Sequence, residues 1–124
     1  MDRFTIISEF VHKKFDARNQ ARDKALTQAR IVIRHASHAI RAIHRMDIEE
    51  ANKQLEQASQ LVNQLKTDLA DYPDLFHAGY TQSALKEYVE AIVTCAIIQG
   101  QEIPLPEEMD VEADVYLNGL AEVV

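Results

Sequence analysis

Apolar residues recur at three- and four-residue intervals through most of the chain, and the first 72 residues contain neither glycine nor proline. That combination predicts helices with few interruptions. The first runs from Asp2 to about Arg45. At about 1.5 Å per residue it is roughly 65 Å long, whereas a compact domain of this length is only about 35–40 Å across. It must bend, overhang its own domain or pack against another subunit, and the last two are expected. Its middle is amphipathic. Ala25, Ala29, Val32, Ala36, Ala39, Ile40 and Ile43 share one side, while Arg30, Arg34, Arg41 and Arg45 line the opposite side with His38 at their border.

The second helix spans Ile48 to about Asp71, with Asp47 as its cap and Glu50 placed as in a capping box. Its inner stripe is Leu55, Ala58, Leu61, Val62, Leu65 and Leu69, and Tyr72-Pro73 ends it. The third runs from Pro73 or Asp74 to Gln99, irregular near Gly79, where Thr81 or Ser83 can restart it by N-capping. Gly100 is a natural residue just past its end. After an acidic loop containing Pro104 and Pro106, a last short helix starts near Val111, with Val115, Leu117, Leu120 and Val124 as its apolar residues. The expected fold is all-α: an antiparallel helical bundle with one long N-terminal helix, in a single domain over residues 1–124.

The third helix is the chemically unusual one. From Val89 to Ile98 its only polar side chains are Glu90 and Thr94. Helical spacing aligns Glu87, Glu90 and Thr94 as a polar seam on an otherwise apolar helix. Burying an isolated carboxylate is costly unless a cation, a guanidinium or a proton compensates it.

Composition narrows the picture. Hydrophobic residues make up 47% and charged residues 27%, enough for a single globular core. Tryptophan is absent and aromatics are few, which disfavours a base-stacking platform. The lone Cys95 excludes an internal disulfide and a cysteine-based zinc site; it reads as a core residue in a reducing compartment. Asp2, Arg3 and Glu9 interrupt any secretory signal, and no apolar run approaches the roughly 18 residues of a membrane span. A soluble, cytoplasmic protein is expected.

The net charge of −7 conceals an asymmetry. Residues 1–46 carry ten Lys/Arg and four Asp/Glu, residues 47–124 three and sixteen. This suits a protein that grips a polyanion with one element and holds a divalent cation with another. The arginine stripe has two readings: a solvated or salt-bridged face, or a row of guanidiniums matched to phosphate oxygens. The histidines His12, His35, His38 and His44 form no convincing metal set, because no carboxylate accompanies His35 and His38.

Lys86-Glu87-Tyr88-Val89-Glu90-Ala91 resembles the E-Y-V-E-A signature of the translin superfamily, specifically its translin-associated factor X branch. Tyr116-Leu117-Asn118-Gly119-Leu120-Ala121-Glu122 is similar to the Y-L-x-G-x-A-D segment that follows in those proteins. The resemblance implies an α-helical subunit of a hollow, usually octameric homo-oligomer. It also implies an Mg²⁺- (or Mn²⁺-) dependent endoribonuclease acting on single-stranded or nicked RNA. Glu87, Glu90 and Glu122 then stand at the catalytic, metal-binding positions, with Glu122 replacing an aspartate: same charge, one methylene longer. The family's further glutamate and its additional C-terminal helices have no counterpart here, so a domain incomplete at the C-terminus is expected. Helical geometry adds Arg30, Arg34, Arg41 and Arg45 as the residues that hold the strand. The competing readings are a non-catalytic scaffold for single-stranded RNA or DNA, an all-α nucleoside-triphosphate pyrophosphatase using Glu-x-x-Glu, and a structural helical protein.

Overall fold

The structure, a computed structural model, describes residues 2–124. Among these residues six helices follow in order: α1 Arg3–His44, α2 Ile48–Asp68, α3 Pro73–Phe76, α4 Gly79–Ile98, α5 Pro106–Met109 and α6 Ala113–Val123. The fold is all-α. Helix α1 packs against α2 and α4, and α6 lies on α4. Among the described residues no helix is long and apolar enough to cross a membrane.

The 42 residues of α1 extend over about 63 Å. Asp2 caps it, its carboxylate accepting from the Thr5 amide at 2.8 Å. Its first buried residue is Ala25, so the N-terminal part projects beyond the bundle. From there Ala25, Ala29, Ala36, Ala39 and Ala42 are buried, with Val32 and Ile43 the larger buried apolar residues among them. Small side chains on this face let α2 and α4 approach closely. Ala58, Val62 and Leu65 of α2 and Leu85, Val89 and Val93 of α4 complete the main core. A second cluster joins Ala39, Ala42 and Ile43 to Ala51, Ala91 and Cys95. Cys95 is buried there, as its apolar surroundings in the sequence imply.

Helix α1 turns into α2 through a Schellman-type closure. The Asp47 amide donates to the Ala42 carbonyl at 2.9 Å and the Met46 amide to Ile43 at 3.0 Å. This places Met46 at φ 62°, a left-handed conformation that favours glycine. Asp47 caps α2 as expected, accepting from the Glu50 amide at 3.2 Å. Glu50 does not return the bond; its carboxylate accepts from Gln54 at 2.8 Å.

Three expected boundaries differ. Helix α2 stops at Asp68 rather than Asp71, because the chain turns at Leu69 to bury that side chain. The expected third helix is two, α3 and α4, separated at His77–Ala78. Thr81 does not cap α4; its buried hydroxyl reaches back to donate to the Leu75 carbonyl at 3.0 Å, and Gln82 donates to Phe76 at 2.9 Å. Side chains thus satisfy the carbonyls that the break releases. Gly100 ends α4 at φ 68° as expected. The last helix starts at Ala113 rather than Val111, preceded by the unanticipated α5. Its entry is fixed by a hydrogen bond between His77 Nε2 and Glu112 Oε1 at 2.9 Å and an ion pair from Lys66 to Asp110 at 3.3 Å.

Candidate functional site

The crossing of α4 and α6 is set by one glycine. A Cβ at Gly119 would lie 2.6 Å from Val89 Cγ1 and 2.9 Å from the Lys86 carbonyl oxygen. Only hydrogen fits, so α6 rides directly on α4. Glu122, three residues further on, shares that side of α6. Glu122 and Glu90 line one groove of about 320 Å³ together with Thr94, Ile97, Ile98 and Val123, walled from α1 by Ile40 and His44.

The structure therefore brings Glu87, Glu90 and Glu122 into one neighbourhood, but at the rim of the bundle and not in its interior. Glu87 and Glu90 are half-buried and Glu122 is exposed. Lys86 stands between them, its Nζ 3.2 Å from Glu122 Oε1 and 3.8 Å from Glu87 Oε1. The Glu122 carboxylate, with help from Glu87 and Glu90, raises the Lys86 pKa above its ordinary value. Glu90 has no ion-pair or hydrogen-bond partner of this kind among the described residues. Its partial burial first, then the adjacent Glu87 carboxyl and the Glu122 charge, push its pKa up to about 7. This is like-charge crowding together with desolvation.

Among the described residues no group of three or more His, Cys, Asp or Glu side chains is disposed to hold a metal ion. The donor chemistry nevertheless fits Mg²⁺ or Mn²⁺: three carboxylates supply hard oxygens, and a divalent charge relieves the crowding that lifts Glu90. Lys86 separates this donor set from a closed site, because its ammonium holds oxygens of Glu122 and Glu87.

Arg30, Arg34, Arg41 and Arg45 are all exposed on α1. Among the described residues, Arg30, Arg34 and Arg41 have no ion-pair partner, and Arg45 reaches only Asp47, at 4.0 Å. The face is therefore not consumed by pairing with the acidic α2. Arg41 and Arg45 line a shallow hollow with His38 and Glu50. His35 is engaged elsewhere, its Nδ1 2.7 Å from the Gln54 side-chain oxygen.

Three participants escape the sequence reading. Along the sequence Lys86 is only one letter of a motif; its bridge to Glu122 depends on where α6 lies. His44 belongs to no convincing metal set along the sequence; the carboxylates that share its groove, Glu90 and Glu122, come from α4 and α6. Gly119 carried a signal: a glycine inside a helical pattern marks a close approach.

The architecture is that of the all-helical translin-like fold. The crystal structure of apo-NeC3PO, a C3PO-type protein, superposes on it with a TM-score of 0.82 at 23% sequence identity, covering 99% of this chain and 63% of that one. The chain thus spans 63% of the length of that solved relative. No protein-family model and no curated protein sequence matches it.

Proposed function

We propose that the protein is a translin-like nucleic-acid-processing subunit, working as an Mg²⁺-dependent endoribonuclease on single-stranded or nicked RNA within a homo-oligomer. The observation that carries this reading is that Glu90 and Glu122 share one groove, with Glu87 beside Glu90, on two helices held in contact at Gly119. Glu87, Glu90 and Glu122 would hold the cation, which when bound supplies Lewis-acid polarisation of a phosphoryl oxygen. Arg30, Arg34, Arg41 and Arg45 bind backbone phosphates without reading bases. Arg41 lies three residues from His44, so the cationic face and the acidic groove are neighbours on α1. A strand held by the first reaches the second across His44.

The test pairs activity with a binding readout. Wild-type protein with Mg²⁺ or Mn²⁺ cleaves a labelled single-stranded RNA. Glu90→Gln abolishes cleavage and Mn²⁺ binding measured by electron paramagnetic resonance, while RNA binding persists. Undiminished cleavage by Glu90→Gln removes these carboxylates from the mechanism. The same substitution also separates chemistry from folding. Because the folded-state pKa of Glu90 is raised to about 7, the folded protein holds more protons than the unfolded chain between the ordinary carboxyl value and 7. Stability contributed there falls as pH rises through that window. Glu90→Gln should therefore have a higher Tm than wild type above pH 7 and little difference near pH 4.

One observation favours the non-catalytic scaffold instead: Lys86 already pairs with two of the three carboxylates, Glu87 and Glu122. On that reading RNA or single-stranded DNA binds without being cut. Arg34→Ala with Arg41→Ala then weakens binding and reduces the salt slope by about one per lost phosphate contact.

A further inference from the structure

The stretch of α1 before the bundle carries an apolar face with no covering element among the described residues. Phe4 is 86% exposed and Phe10 62%, and Ile6, Ile7, Val11 and Phe15 are also exposed. At 100° per residue these positions continue the side that, further along α1, is buried beneath α2 and α4. From Arg3 to Ala17 the free stretch is about 22 Å long.

Its charges are sorted by face. Arg3 and Lys14 lie among the apolar residues, and Lys14 Nζ sits 5.6 Å from the centre of the Phe10 ring. Glu9 and Asp16 fall on the opposite side. Two copies pairing through this same face would set cations against cations. The complement lies at the other end of the sequence. Residues 87–124 hold nine Asp/Glu and no Lys or Arg. Ile103, Leu105 and Leu117 are exposed there, and the Tyr116 hydroxyl, donating to the Pro104 carbonyl at 3.0 Å, ties the loop bearing the first two to α6 beside the third. Glu102, Glu107 and Asp114 around them have no ion-pair partner among the described residues.

We propose that the cationic, apolar projection of α1 docks head-to-tail on the acidic, apolar α4–α6 loop and outer face of α6 in a second copy of this chain. Both components of the contact are complementary: aromatic and aliphatic side chains meet aliphatic ones, and Arg3 and Lys14 meet carboxylates. A heterologous contact leaves each copy with one free donor and one free acceptor surface, so it builds a ring or shell where the rotation closes. This goes further than the self-assembly in the functional proposal by naming the surfaces, and it is independent of the nuclease chemistry.

The test uses two complementary variants in the full chain, with folding verified by circular dichroism. Phe10→Asp with Phe15→Asp spoils the projection; Leu105→Arg with Leu117→Arg spoils the acceptor. By light scattering the wild type is oligomeric and each variant alone is monomeric. An equimolar mixture forms a 1:1 heterodimer and grows no further, since only one functional interface remains, and high salt dissociates it. Oligomers formed by the acceptor variant alone would overturn the head-to-tail contact while leaving self-assembly standing. A wild type that stays monomeric at high concentration overturns both, and leaves the nuclease proposal to the cleavage assay.

Discussion

The two parts of α1 present the same side of one helix in opposite circumstances. Beyond Ala25 that side is lined mostly with alanines and is buried against α2 and α4; before it, the side carries phenylalanine, isoleucine and valine and faces solvent. Hydrophobicity alone would assign the core to the wrong part. What distinguishes the buried part is smallness, which permits helix axes to come together, with Val32 and Ile43 filling what the alanines leave. Gly119 on α6 is the extreme case of the same device. Large apolar residues on the projecting part suit a contact made outside the subunit.

The sharpest way to break this contrast is to truncate one large residue in each part. Ile43→Ala should cost about 2–5 kcal/mol, the usual cost of emptying a closed core position. Phe10→Ala removes more carbon yet, at concentrations low enough to keep the chain monomeric, should change chemical-denaturation stability by less than about 0.5 kcal/mol. Equal losses would show that the projection is covered within the monomer. Next in size is overpacking. Gly119→Ala drives a methyl into Val89 and the Lys86 backbone and should cost about 1–3 kcal/mol. Because it pushes α6 off α4, it should also bring the Glu90 pKa, followed by NMR titration, down towards an ordinary carboxyl. A smaller effect, of opposite sign, is expected at the end of the buried part. Met46→Gly, at a left-handed position, should stabilise by about 1 kcal/mol in thermal unfolding.

Most of the fold was legible because it rests on local rules. The absence of glycine and proline, the alanine side of α1, the Asp47 cap and the Gly100 terminus each act within a few residues. The break before Gly79 was only half legible, since Thr81 bonds a carbonyl six residues back where capping geometry would have used it locally. The acidic cluster was readable through the E-Y-V-E-A and Y-L-x-G segments. Its depth and its counter-ion were not. Whether Glu90 is immersed or at a rim, and whether Lys86 reaches Glu122, depend on how two helices cross, and periodicity along one helix says nothing about the angle of another.

The separation of charge along the chain has a consequence for encounter. With the unpaired arginines on α1 and no cationic side chain after Lys86, the subunit is an electric dipole. Its torque in the field of a polyanion turns the arginine side forward and the carboxylate groove aside before any contact is made. On the proposed function, a strand would arrive along α1 first and meet the acidic groove by travelling toward His44, an order of events that this charge distribution favours at low ionic strength and that salt erases.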